Sequence, residues 1–127
     1  MSIIISKQQI DEALATTPKR GKTTTLDVTL THGAATRIVR NVDASNRPEV
    51  HSDEADLWEG LTGSVTFILG GELTGELEVI GNTTLGEGIE GGTEFVLTPG
   101  TMLYIPAGEV HAHYGTGEML VTKIPNK

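Results

Sequence analysis

The chain of 127 residues contains no cysteine. Disulfide bonds, thiolate metal ligands and a cysteine nucleophile are therefore excluded. Aromatic residues make up only 4% of the sequence, so a hydrophobic core must be built mainly from Leu, Ile and Val. A chain of this length can bury such a core without covalent cross-links, and we expect a single domain over residues 1–127.

Basic residues and long apolar runs are also scarce. Nine Lys and Arg residues stand against 17 Asp and Glu, which gives a formal net charge of −8. This charge argues against non-specific binding to nucleic acid or to an anionic membrane. The apolar run at residues 3–5 is too short for a signal peptide, and no segment approaches the roughly 20 apolar residues of a transmembrane helix. We therefore expect a cytoplasmic protein.

The one helix signal lies near the N-terminus. Ser6 and Gln9 have the spacing of a capping box, and Pro18 is expected to end the segment, which predicts a helix over about residues 7–16. From about residue 23 to residue 125 short segments alternate apolar and polar residues between Gly, Pro or Asn clusters. This pattern predicts an all-β sandwich or barrel. The Gly-rich segment 81–92 is expected to form either a flexible surface loop or a lid over a pocket.

The segment "GTMLYIPAGEVHAHY" contains the most specific pattern in the chain. Gly100, Pro106, Gly108 and His111 are separated by five, one and two residues. We expect a buried strand, a tight turn and a returning strand on which His111 and His113 share one face. This spacing matches the second motif of the cupin superfamily at every fixed position up to the His, although the usual Asn four residues later is replaced by Gly115.

The segment "VHSDEADLWEGLTGS" resembles the first cupin motif less closely. His51 fits the first His of that motif, and Asp53 replaces the second. Asp56 best fits the acidic position because Gly63 follows it after six residues, but the spacer before it is one residue short. On an unbroken strand Asp56 would face away from His51, so a bulge or turn is required between them.

The resemblance spans roughly residues 35–125 and implies a jelly-roll cupin barrel with one short N-terminal helix. In cupins the pocket usually holds one divalent metal, and here the implied ligands are His51, Asp56 and His111, with Asp53 as an alternative carboxylate. Imidazole and carboxylate ligands together suit Fe, Mn, Zn or Ni. Whether Asp53 or Asp56 supplies the carboxylate stays open at this point.

For function the resemblance favours a metal-dependent enzyme that acts on a small polar molecule in the barrel. Glu54 and His113 are the candidate catalytic residues, because either could move a proton beside the metal. Two alternatives are a non-catalytic module that binds or senses a small ligand, and a metal-free cupin with a structural role. Cupins commonly dimerise, so the resemblance also predicts a homodimer. The fold by itself does not supply the reaction.

Overall fold

The computed structural model describes residues 2–126, so the first and last residues of the predicted domain lie outside the described residues. It contains one α-helix, a short 3-10 turn at Thr31–Gly33 and eleven β-strands within that range. The elements are α1 (Lys7–Leu14), β1 (Gly21–Thr29), β2 (Ala35–Ser45), β3 (Glu49–His51), β4 (Glu54–Leu69), β5 (Glu72–Thr74), β6 (Glu78–Ile80), β7 (Thr83–Leu85), β8 (Gly88–Glu90), β9 (Thr93–Leu97), β10 (Met102–Ile105) and β11 (His111–Pro125).

Helix α1 begins with the predicted capping box. The hydroxyl of Ser6 accepts from the backbone N–H of Gln9, and the Gln9 side chain accepts from the backbone N–H of Ser6. The helix ends two residues earlier than predicted. Arg40 of β2 donates to the carbonyls of Leu14 and Thr16, and thus satisfies backbone acceptors that the end of the helix leaves free. This contact attaches α1 to the barrel.

Nine of the described strands form a curled antiparallel sheet with the order β1-β2-β11-β3-β7-β6, in which β4 pairs β9, β10 and β11. Strands β5 and β8 pair with each other in a separate sheet. Strands β4 and β11 pair along almost their whole length. The returning strand predicted at His111 and His113 continues without a break to Pro125. The strand continues because a register shift between Gly115 and Gly117 absorbs the irregularity in its pairing with β2.

The eleven strands confirm the all-β prediction. The hydrophobic core fills the space between the sheet faces. Its buried members are aliphatic residues together with one Trp and one Phe: Val39, Trp58, Val65, Phe67, Leu97, Ile105, Met119 and Val121. The polar site described below lies beside this core, so apolar side chains form one wall of it. Among residues 2–126 no helix is long and apolar enough to span a membrane.

Two local features bring functional side chains together. Bends at Ser52 and Asp53 separate β3 from β4. The sequence predicted such a break, because His51 and Asp56 would face opposite sides of one unbroken strand. The Gly-rich segment 81–92 contains β7 and β8, and β7 pairs with β3 next to His51. Part of this segment is therefore a component of the sheet and not a free surface loop.

Candidate metal centre

Four side chains from three strands direct their polar atoms toward one point. Nε2 of His51 lies 3.6 Å from a carboxylate oxygen of Glu49 and 3.6 Å from Oδ2 of Asp56. Nε2 of His111 lies 3.4 Å from the same Glu49 oxygen and 3.7 Å from the same Asp56 oxygen. Two nitrogen atoms and two oxygen atoms thus surround a small common volume.

Three of these atoms are buried without a hydrogen-bond partner among the described residues: Nε2 of His51, Nε2 of His111 and Oδ2 of Asp56. Leaving such atoms unpaired costs free energy, so a cluster of them aimed at one point indicates a missing partner. Ligand atoms about 2.1 Å from a tetrahedrally coordinated ion lie about 3.4 Å from one another. The observed separations are close to this value, so the four residues fit a divalent metal ion.

The local fold explains why these side chains meet. Glu49 and His51 are two residues apart on β3 and therefore share one face. His111 begins β11 and pairs directly with Glu49. The predicted tight turn before β11 is present, and the N–H of Gly108 donates to the carbonyl of His51 over 2.8 Å. Gly108 has a φ of +85°, which residues with a side chain rarely adopt, so this turn requires glycine.

The tautomer of His111 is set by the backbone. Its Nδ1 lies 3.0 Å from the carbonyl oxygen of Glu109, which can only accept a hydrogen bond. Nδ1 therefore carries the proton, and Nε2 presents a lone pair to the cluster. In this form the imidazole can ligate a metal.

The tautomer of His51 is set by a chain of three hydrogen bonds. The amide of Asn82 donates to Asp53 over 2.8 Å, and the Asn82 oxygen accepts the hydroxyl proton of Thr83 over 3.0 Å. The Thr83 oxygen lies 2.9 Å from Nδ1 of His51 and can only accept there, because its one proton is already donated. Nε2 of His51 therefore also presents a lone pair.

The charges of the cluster favour an ionised Glu49. Burial opposes its ionisation, but the polar contact with His111 and the positive charges of His51 and His111 outweigh burial and lower the pKa of Glu49 to about 2. For His111, burial acts to lower the pKa. The contacts with Glu49 and with the Glu109 carbonyl outweigh burial, so the pKa of His111 is raised. A proton and a metal ion therefore compete for the same nitrogen.

The other two pocket histidines stay neutral more easily. Burial lowers the pKa of His51, and the positive charge of Lys123 adds to that effect. Burial, followed by the charge of Lys22, lowers the pKa of His113 to about 3. His113 packs against Trp58 and Phe67, with ring centroids 5.5 and 5.2 Å away. Its Nδ1 is buried and has no partner among the described residues.

Asp56 and Glu54 are linked by a lysine. Lys123 donates to Oδ1 of Asp56 over 2.8 Å, which leaves Oδ2 directed at the cluster. The same ammonium lies 3.9 Å from a Glu54 oxygen. Glu54 also has an oxygen within 4.8 Å of the donor atoms of His51 and Asp56. Glu54 is thus at the edge of the cluster.

A cavity of about 170 Å³ opens beside the donors. Glu49, His51 and Trp58 line it together with three cations, Lys22, Arg37 and Lys123. His113 lines an adjoining, larger cavity that Lys22 also borders. The space is sufficient for a small polar molecule next to the cluster.

The structure thus brings together three of the predicted ligands, His51, Asp56 and His111, which are 8%, 1% and 1% exposed. Asp53 lies outside the cluster. It is exposed, and its side chain accepts from Asn82. Sequence reasoning missed Glu49 as a donor, although its position two residues before His51 places both on one face.

No family model matches the sequence, and no curated protein matches it. Solved structures do match the fold. A recombinant oxalate oxidase in complex with glycolate is 17% identical, with a TM-score of 0.56, and the match covers 87% of this chain and 54% of that one. The chain therefore spans about half the length of that oxidase.

Two further structures match over more of their own length. A double-stranded β-helix protein from Klebsiella pneumoniae is 13% identical with a TM-score of 0.63, and the match covers 99% of this chain and 93% of that one. Hydroquinone 1,2-dioxygenase from Sphingomonas with 4-hydroxybenzoate bound is 14% identical with a TM-score of 0.59, covering 100% and 82%. The chain therefore has a double-stranded β-helix fold.

Proposed function

We propose that the protein is a metal-dependent enzyme that acts on a small polar molecule in the barrel cavity. One observation carries this proposal. Nε2 of His51, Nε2 of His111 and Oδ2 of Asp56 are buried, lack partners among the described residues and converge with Glu49 at separations of 3.4–3.7 Å. Neutral imidazoles and carboxylates in this arrangement suit Fe, Mn, Zn or Ni.

In this proposal Glu49, His51, Asp56 and His111 hold the metal. A divalent ion there would supply Lewis acidity, either to activate water or O2 or to polarise a carbonyl. Thr83 and the Glu109 carbonyl keep the two imidazoles in the ligating tautomer. Glu54, at the edge of the cluster, accepts or donates the proton that the reaction moves.

His113 has a second proposed role. Its ring is held neutral by burial and lies against Trp58, while Nδ1 is free of intramolecular partners among the described residues. A neutral imidazole with one unpaired nitrogen can exchange a hydrogen bond or a proton with a bound molecule. We therefore keep His113 as a candidate catalytic residue beside Glu54.

The solved structures of similar fold are compatible with a small-molecule ligand. The oxalate oxidase holds glycolate, and the hydroquinone dioxygenase holds 4-hydroxybenzoate. At 14–17% identity these structures share a fold with this chain. The homodimer and the cytoplasmic location stay predictions of the sequence, and light scattering of the purified protein measures the first.

The test of this function is turnover by protein reconstituted with Fe, Mn, Zn or Ni. Small hydroxy acids, phenols and sugars are supplied, and O2 consumption and isomerisation are followed. We expect metal-dependent turnover that Glu54→Gln reduces at least tenfold while metal content is retained. Metal-dependent binding without turnover would favour a non-catalytic binding module. Protein that binds no metal under any of the four conditions would rule out the proposed enzyme.

A further inference from the structure

Three cations line the cavity next to the metal ligands, and two of them are paired. Arg37 lies 3.2 Å from Asp27, and Lys123 lies 2.8 Å from Asp56. Lys22 differs, because no carboxylate lies within 4.0 Å of its ammonium group in residues 2–126. The cavity thus contains one cation whose charge no neighbouring carboxylate neutralises directly.

Lys22 lies on β1 beside two cavities. Lys22 on β1 pairs in register with Asn41 on β2, and Asn41 in turn contacts His113 inside the barrel. The side chain of Lys22 borders both the cavity of about 170 Å³ beside the donors and the adjoining one of about 440 Å³. A molecule that occupies either cavity therefore lies beside Lys22.

Lys22 is exposed, but neighbouring protein atoms exclude part of the water around its side chain. Burial lowers the pKa of Lys22. The charge of Glu49 opposes this effect, and the charge of Lys123 adds to it. A partly desolvated ammonium group gains more from an anion than a fully hydrated one does. The surroundings of Lys22 thus favour a negatively charged partner.

The charge of the whole site leads to the same conclusion. The chain carries a formal net charge of −8, yet three of its nine basic residues line this one cavity. The carboxylates of Glu49 and Asp56 would be neutralised by a divalent ion held between them. Arg37 is paired with Asp27, and Lys123 lies 3.9 Å from Glu54. What remains facing the ligand is the positive charge of Lys22, which attracts anions and disfavours cations.

We infer that Lys22 is the anion-binding residue of this pocket and that the substrate is a small carboxylate, held by its charged group at Lys22 while its other end lies at the metal ligands. This inference rests on the proposed function and adds the substrate class to it. The cavity volume of about 170 Å³ limits the substrate to a small molecule. A neutral molecule of the same shape would leave the ammonium group without a partner.

The test compares charged and neutral molecules of matched shape on the metal-loaded protein. Acetate, lactate and benzoate are titrated calorimetrically beside acetamide, lactamide and benzamide. We expect at least one carboxylate to bind ten times or more tightly than its amide. We expect Lys22→Met to weaken that carboxylate 10- to 100-fold, the range of a charge-assisted hydrogen bond, with the amide changed less than threefold.

Lys19→Met is the matched control. Lys19 is exposed, and its substitution removes the same charge three residues away from Lys22. It should leave every affinity within twofold, and metal content should equal that of the wild type in both variants. Normal metal content with no charge preference in any pair, or with carboxylate affinity unaffected by Lys22→Met, would overturn the inference and leave the proposed metalloenzyme intact. Absence of bound metal would instead overturn the proposed function, and this inference with it.

Discussion

The hydroxyl oxygen of Thr83 lies 2.9 Å from Nδ1 of His51 and accepts a hydrogen bond from it. Thr83 belongs to the Gly-rich segment 81–92, which has no place in the cupin motifs of the sequence. Through this contact a residue outside the motifs determines which nitrogen of His51 carries the proton and which one presents a lone pair to the cluster. The same contact connects the tautomer of His51 to Asn82 and Asp53.

Replacing Thr83 with valine should therefore weaken metal binding without removing a ligand. The variant keeps the shape of the side chain but loses the acceptor for Nδ1 of His51. We expect a 10- to 100-fold loss of metal affinity, the usual effect of removing a hydrogen bond to a ligating histidine. Competition with a chelator of known affinity measures it. Thr84→Val, on the next residue of β7, should stay within threefold, and equal losses in the two variants would contradict this role.

Asp53 and Asp56 should differ in their effects on metal binding. Asp56→Asn removes a charge from an atom that faces the cluster, and we expect metal affinity to fall more than 100-fold. Asp53→Asn alters a residue that reaches the site only through Asn82 and Thr83, and the expected loss is below tenfold. Chelator competition on both variants shows which of them loses more metal affinity. A larger loss from Asp53→Asn would show that the ligand assignment is wrong.

The ion pair between Arg40 and Glu118 should stabilise the fold. Nη2 of Arg40 lies 2.7 Å from Glu118, and both side chains are largely buried. Arg40→Met would leave the carboxylate buried without its partner and free the end of α1, so we expect the free energy of unfolding to fall by about 3 kcal/mol. Urea unfolding measures it. The exposed pair of Arg47 and Glu78 provides the control, since Arg47→Met should cost about 1 kcal/mol or less.

The stability of the metal-free protein should fall on mild acidification. In the folded state the pKa of His113 is lowered to about 3, against an ordinary value of 6.5. Between these values the unfolded chain binds a proton that the folded chain does not, so acid favours unfolding. His113 should contribute up to about 1.4 kcal/mol per pH unit below pH 6.5.

Urea unfolding in the presence of a chelator at pH 7, 6 and 5 tests this pH dependence. The pKa of His51 is also lowered, so it acts in the same direction. The raised pKa of His111 has the opposite sign, and its contribution is lost as the pH rises above 6.5. It therefore acts mainly between pH 7 and 6, and the slope between pH 6 and 5 reports the two lowered pKa values. His113→Asn should reduce the slope between pH 6 and 5. Parallel slopes for the wild type and the variant would contradict a neutral, buried His113.

Local patterns predicted much of this fold. The capping box at Ser6 marked the start of α1, and alternation of apolar residues marked most of the strands. The length of β11 could not be read in the same way, because Gly115 and Gly117 resemble a turn signal. Their effect depends on pairing with β2 and β4, which the local sequence does not contain.

The candidate site shows a similar division. Because alternate residues of a strand share a face, the sequence was sufficient to predict a turn between His51 and Asp56. The same parity rule would also have placed Glu49, two residues before His51, on the same face. The bends at Ser52 and Asp53 end that parity, which is why Asp53 does not follow His51 into the cluster. The contact of Thr83 with His51 joins residues 32 positions apart, and only the pairing of β3 with β7 brings them together.

The metal content of the untagged protein, purified without chelators, tests most directly whether Glu49, His51, Asp56 and His111 form a metal site. We expect close to one equivalent of a single divalent metal per chain by elemental analysis. We also expect only background metal in a His51→Ala/His111→Ala double variant whose circular dichroism spectrum is unchanged. Protein that holds no metal under any loading condition, or a folded double variant that retains a full equivalent, would contradict the account.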